Sequence, residues 1–104
     1  MPTKLGNMPR PGQPYLGQPC GYQQISAASL ASAQSLTVPA GATWALIQVD
    51  TASVRWRDDG TAPTAAVGVA LAPGIAPWLY QGNLAAIQFI ALSGSPVLNI
   101  SYYL

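Results

Sequence analysis

Glutamate and histidine are absent from this 104-residue chain, and cysteine and lysine each occur once, as Cys20 and Lys4. Without a histidine, and with one thiol, neither a Ser-His-Asp nor a Cys-His nucleophile system can be assembled. A zinc site of Cys and His ligands is excluded on the same ground. A lone Cys20 forms no intrachain disulfide and reads as a small incidental thiol. No glycine-rich run ends in the Gly-Lys-Ser/Thr of a phosphate-binding loop. Paired carboxylates for glycoside hydrolysis would have to come from Asp50, Asp58 and Asp59. The adjacent Asp58 and Asp59 suit a turn better than a pair facing one substrate. Calcium takes about six to eight oxygen ligands, more than that loop offers. The expectation is a protein that is not an enzyme and holds no cofactor or metal.

Charge is scarce as well. Asp, Lys and Arg make up 7% of the residues, against about 25% charged residues in an ordinary soluble domain. Five of the seven charges, Asp50, Arg55, Arg57, Asp58 and Asp59, fall within ten residues. A formal net charge of +1 gives no basic surface for nucleic acid, which needs clustered Lys and Arg. No apolar stretch approaches the roughly 18 residues of a membrane span. The N-terminus lacks a charged region followed by an apolar run, which points to a chain made in the cytoplasm. The surface must be covered largely by Ala, Ser, Thr, Gln, Gly and Pro. A chain so poor in charge tends to associate. Its expected partners are therefore protein subunits, beginning with copies of itself in a homo-oligomer.

One domain and one core fit within this length. Residues 1–22 differ in kind from the rest, with Pro2, Pro9, Pro11, Pro14 and Pro19 interleaved with Gly6, Gly12, Gly17 and Gly21. Such a stretch suits neither a helix nor an inner strand, and reads as an extended arm of polyproline character. Chain termini are often passive tails. Here the reading favoured is an arm that docks on a neighbouring subunit, with Tyr15, Leu16 and Tyr22 as anchors.

From residue 23 to 104 the pattern is short β runs separated by turns, with almost no helix expected. Trp44, Leu46 and Gln48 alternate with Ala45, Ile47 and Val49. Val54 and Trp56 share one face and Arg55 and Arg57 the other, which makes Trp56 a core residue and turns both arginines outward. Asp59-Gly60 reads as a tight turn, with Pro63 stiffening its exit. Val67, Val69 and Leu71 recur with period two, and Ala76–Tyr80 forms another run. The clearest strands are Ile87–Leu92 and Leu98–Tyr103. An Ala/Ser segment before Ser35 is a poor helix. Seven or eight strands with turns about every ten residues indicate an all-β sandwich or jelly roll. Trp78 or Tyr80, and Tyr102 or Tyr103, then face away from the core, either packed under loops or forming an interface. Arg55, Arg57, Trp78, Tyr80 and Tyr103 join the arm residues as interface candidates. The rival reading makes Trp44, Trp78, Tyr80, Tyr102 and Tyr103 a stacking platform for sugars, with Asn or Gln binding hydroxyls.

The stretch Val54-Arg55-Trp56-Arg57-Asp58-Asp59-Gly60-Thr61-Ala62-Pro63-Thr64, continuing to Gly68, sits in a wider pattern. Leu36-Thr37-Val38-Pro39-Ala40-Gly41 precedes it, and Leu71-x-x-Gly74 follows. Gly82-x-Leu84-x-x-Ile87-x-Phe89-Ile90 and Leu98-Asn99-Ile100-Ser101-Tyr102-Tyr103 complete it. Over residues 36–103 the chain resembles small structural proteins of tailed bacteriophages and prophages. The resemblance implies a virion component and brings no catalytic residues with it. The function expected on that basis is capsid decoration or cementing through oligomerisation and arm docking. Placement in the neck, tail or fibre base of the same virion, or a carbohydrate-binding receptor module, are the alternatives.

Overall fold

The computed structural model describes residues 17–104. Eight strands follow one another: β1 (Pro19–Ile25), β2 (Gln34–Ser35), β3 (Trp44–Asp50), β4 (Val54–Arg57), β5 (Val69–Leu71), β6 (Trp78–Tyr80), β7 (Gln88–Ala91) and β8 (Val97–Tyr103). They pair into two antiparallel four-stranded sheets, β1-β8-β3-β6 and β2-β7-β4-β5. The sheets pack face to face as a small β-sandwich, the all-β class expected.

Alternation decides which face of each strand turns inward. Ala45, Ile47 and Val49 of β3 are buried, opposite Tyr102, Ile100 and Leu98 of β8. The other sheet contributes Val54 and Phe89, both fully buried. Of the two sets on β3, the aliphatic one turns inward because the other carries Gln48, whose amide needs polar partners. Leu30, Leu36, Leu84 and Ile87 complete the core from the connections. Leu30 sits on the only helical piece among the described residues, a single 3₁₀ turn over Ser29–Ala31. The Ser26 hydroxyl accepts from the Ser29 amide at its entry. The Ala/Ser segment is thus one turn long, just enough to insert Leu30.

The paired region begins earlier than the expected boundary after residue 22. β1 starts at Pro19 and runs along β8 at one edge of its sheet. Its Pro and Gly residues are edge-strand devices. Pro19 occupies the first position of the strand, where a missing donor costs little. A register shift lies between Pro19 and Gly21, and a Cβ at Gly21 would come within 2.6 Å of Pro39 Cγ. Tyr22 therefore belongs to the sandwich and not to an arm. Tyr15 and Leu16 lie outside the described residues.

Two buried tyrosines make hydrogen bonds to residues distant in sequence. The Tyr102 hydroxyl donates to Gln23 Oε1 at 2.7 Å, and the same oxygen accepts the Thr37 amide at 2.9 Å. The Tyr80 hydroxyl donates to Asp58 Oδ2 at 2.8 Å. Burial pushes the Tyr102 phenol up to about 12. Burial, reinforced by the Asp58 carboxylate, does the same for Tyr80, to about 12. Both are raised above the ordinary phenol value of about 10. Stability contributed by these neutral phenols is complete below pH ~10 and lost as pH rises towards 12. Alkaline titration of tyrosinate absorbance should show a late component near pH 12, coincident with unfolding. Tyr80→Phe and Tyr102→Phe should each remove part of it; a titration without that component would contradict their burial.

Candidate functional site

The Val54–Gly68 motif builds a loop, not a tight hairpin. β4 pairs with β5, but ten residues and Gly68 separate them. Gly60 takes φ +88°, and Pro63 is buried. The Thr64 and Val67 backbones bond each other in both directions, and Thr64 Oγ1 accepts the Val67 amide at 3.0 Å. Arg55 holds this loop down: Nε donates to the Ala65 carbonyl and Nη1 to the Gly68 carbonyl, both at 2.9 Å. Gly68 lies where a Cβ would meet Arg55 Cβ and the Trp56 carbonyl at 3.1 Å, with φ +144°, so the loop returns to the sheet only through glycine.

Arg57 works on the turn itself. It pairs with Asp59 through two hydrogen bonds, one of them Nε to Oδ1 at 3.1 Å. Asp59 Oδ1 also accepts the Thr61 amide at 3.2 Å. The bonds from Arg57, then from Thr61, hold the Asp59 carboxyl below its ordinary range. Of the four charges around the turn, Arg57 and Asp59 pair with each other, Arg55 binds backbone, and Asp58 takes the Tyr80 hydroxyl. Arg55→Ala should cost about 1.5–3 kcal/mol, the range for hydrogen bonds from a charged donor, with faster proteolysis within residues 61–67. Arg55→Lys should not restore it, because an ammonium lacks the planar fork that meets two carbonyls. Unchanged proteolysis in Arg55→Ala would contradict the clamp. Arg55 thus lies on the face opposite Val54, and its guanidinium is spent on the loop.

Beside the motif lies an open apolar cleft. β5 and β6 are edge strands of different sheets on the same side of the sandwich, and the gap between them is lined by Trp56, Val69, Leu71, Ile75, Pro77 and Trp78. Its volume is ≈ 550 Å³. A neighbouring hollow of ≈ 460 Å³ shares Trp56 and Val69 and is rimmed by Arg57, Asp58 and Asp59. Trp56 and Trp78 lie with ring centroids 4.9 Å apart, and Tyr80 packs against both. Val67, Val69, Ile75 and Leu79 are each about half exposed around the opening.

The outward face of the β1-β8-β3-β6 sheet is a second feature. Asn99 stands at its centre: Oδ1 accepts from Tyr22 and Gln24, and Nδ2 donates to Gln48 and Asp50. Towards the other end, Trp44 stacks on Tyr103 with centroids 4.2 Å apart. Asp50, at the end of β3, carries the only charge among the described residues of this face, and it is hydrogen-bonded by Gln48 and Asn99.

The candidate residues divide between these places. Tyr22 is 66% exposed on the outward sheet face, and Tyr103 is half-buried in the Trp44 stack. Trp78 is half-buried at the cleft. Tyr80 is only 5% exposed, so it belongs to the core and not to an interface; β6 is an edge strand whose inward positions are 78 and 80. Arg55 and Arg57 serve the loop. Trp56 faces inward with Val54, as expected, but is half-buried because it lies at the open side. Val67, Val69, Ile75 and Leu79 carry no signal of this kind in the sequence, since their exposure depends on which strands end up at the edge. Among the described residues, no group of three or more His, Cys, Asp or Glu is placed to hold a metal ion. No family model, no curated protein and no solved structure matches this chain.

Proposed function

We propose that this chain is a structural subunit of a tailed-phage virion that decorates or cements the capsid, through contact with its own copies and with neighbouring shell proteins. One observation carries the reading. Every charged side chain among the described residues is engaged in hydrogen bonds within the chain. What the sandwich offers outward is half-exposed aliphatic side chains, aromatic rings and amides. That is the composition of interface cores, where charge is depleted and aromatics are enriched. The resemblance read in the sequence of residues 36–103 supports a phage particle as the place of assembly. Cryo-electron microscopy of virions carrying the chain tests it, with density expected on the capsid surface. Density at the neck, tail or fibre base would move the protein within the virion, and its absence from purified particles would overturn the reading.

A second reading, a carbohydrate-binding module, is favoured by Trp56 and Trp78 lying side by side in an open cleft, next to a hollow rimmed by Arg57, Asp58 and Asp59. Ligand sites combine apolar walls with a few placed polar groups in this way. Glycan-array binding by a monomeric protein, lost in Trp78→Ala, would support it over assembly.

A further inference from the structure

We infer that the cleft between β5 and β6 is the docking site for the proline-rich N-terminal segment, residues 2–16 of this chain. The inference rests on the reading of the segment as a docking arm and identifies the surface that receives it. Three observations meet at this surface. The first is chemical. Proline-rich segments dock in grooves lined by aromatic rings, because an extended polyproline chain offers ring faces and few backbone donors. The cleft is such a groove, with Trp56 and Trp78 in it and Pro77, Val69 and Ile75 around its mouth. Neither the adjoining hollow nor the outward sheet face combines two indoles with exposed aliphatic walls.

The second is charge. Residues 1–16 carry Lys4 and Arg10, half of the chain's basic residues, and no acidic one. The described body has two arginines against three aspartates, and two of those, Asp58 and Asp59, stand at the rim of the adjoining hollow. Their partners, Tyr80 and Arg57, leave the rim with one more carboxylate than cation. A basic, proline-rich segment and an aromatic cleft that adjoins an acidic rim are complementary in sign.

The third is position. Gly17, where the described chain begins, lies against the Leu104 carbonyl and the Trp44 indole. Trp44 opens β3, the strand next to β6. At ~3.1 Å per residue in polyproline form, ~15 residues span up to ~45 Å, enough to reach the cleft of the same copy or of an adjacent one.

Photocrosslinking of the full chain tests this. A benzophenone amino acid in place of Tyr15 is activated in an equal mixture of ¹⁵N-labelled and unlabelled protein, and the cross-linked peptides are mapped by mass spectrometry. Cross-links should fall on residues 56–59 and 67–79. Val69→Lys and Ile75→Lys, both at exposed positions that tolerate charge without loss of the fold, should each reduce that yield roughly tenfold by placing a cation in the apolar mouth, against the like charge of the segment. Cross-links on the outward sheet face instead, no cross-links at all, or yields unaffected by both substitutions would overturn the inference. The assembly reading is judged separately. Cleft cross-links confined within single chains of a monomer would sustain the docking site and count against assembly. An oligomer with cross-links elsewhere would do the opposite.

Discussion

Phe89→Ala should lower the unfolding free energy by about 3–5 kcal/mol, the usual range for removing a buried aromatic ring. Phe89 is fully buried on β7, paired on one side with Gln34 of β2 and on the other with Trp56 of β4. Its ring therefore lies at the middle of one sheet, in the same core cluster as Ile47 and Ile100 of the other. A domain of this size holds about 5–15 kcal/mol in total, so the loss takes a large share of it. Urea or guanidinium midpoints measure the change directly. Trp56→Ala should cost less, near the lower end of that range, since its indole is half-buried and part of its surface meets solvent in the cleft. A Phe89→Ala protein within about 1 kcal/mol of the unsubstituted chain, the net worth of a single hydrogen bond, would show that the core is packed elsewhere.

Removing residues 2–16 should leave the sandwich folded and sharply reduce its incorporation into particles. The eight strands and the buried cluster described are built from residues 17–104, so the deletion leaves those sheet pairings and that core in place. The melting temperature should move by less than the ~4–8 °C that ~1 kcal/mol produces in a domain of this size. The expected loss of assembly is large because the arm brings its aromatic, aliphatic and cationic anchors together in one chain. Proline restricts the free segment, so fixing it on a partner loses less conformational freedom than for an ordinary chain. A truncation extended through Tyr22 should behave differently. It removes the first half of β1, including Gly21 and Tyr22, which pair with Tyr102 and Ser101 of β8, and should unfold that edge. Truncated protein lacking residues 2–16 that assembles at the full-length level would reduce the arm to a passive tail.

The sandwich was legible where alternation is strong and both faces differ in polarity. Leu98, Ile100 and Tyr102 against Asn99, Ser101 and Tyr103 is such a strand, and so is β3 once Gln48 marks its outward set. Asp59-Gly60 was legible as a turn because positive φ demands glycine there. The loop around it was not, because Arg55 reaches backbone carbonyls ten and thirteen residues away, and no local pattern announces a side chain spent on backbone. Pro19 and Gly21 misplaced the start of the body for a related reason: on an edge strand both residues are tolerated. The cleft was the least legible feature. Val69 looks like an ordinary strand residue and Ile75 like part of a connection, and only the order of strands within the two sheets leaves them at an open side. Tyr80 shows the converse, since its aromatic ring looked available for an interface and is taken up by Trp56, Trp78 and Asp58.

The proposed packing of this chain against other protein subunits is measured by sedimentation velocity of the full chain. Its surface chemistry predicts a discrete species larger than a monomer, whose population grows with concentration and survives high salt, because the contacts are apolar and not ionic. A single monomeric boundary at every concentration up to the solubility limit would contradict this packing.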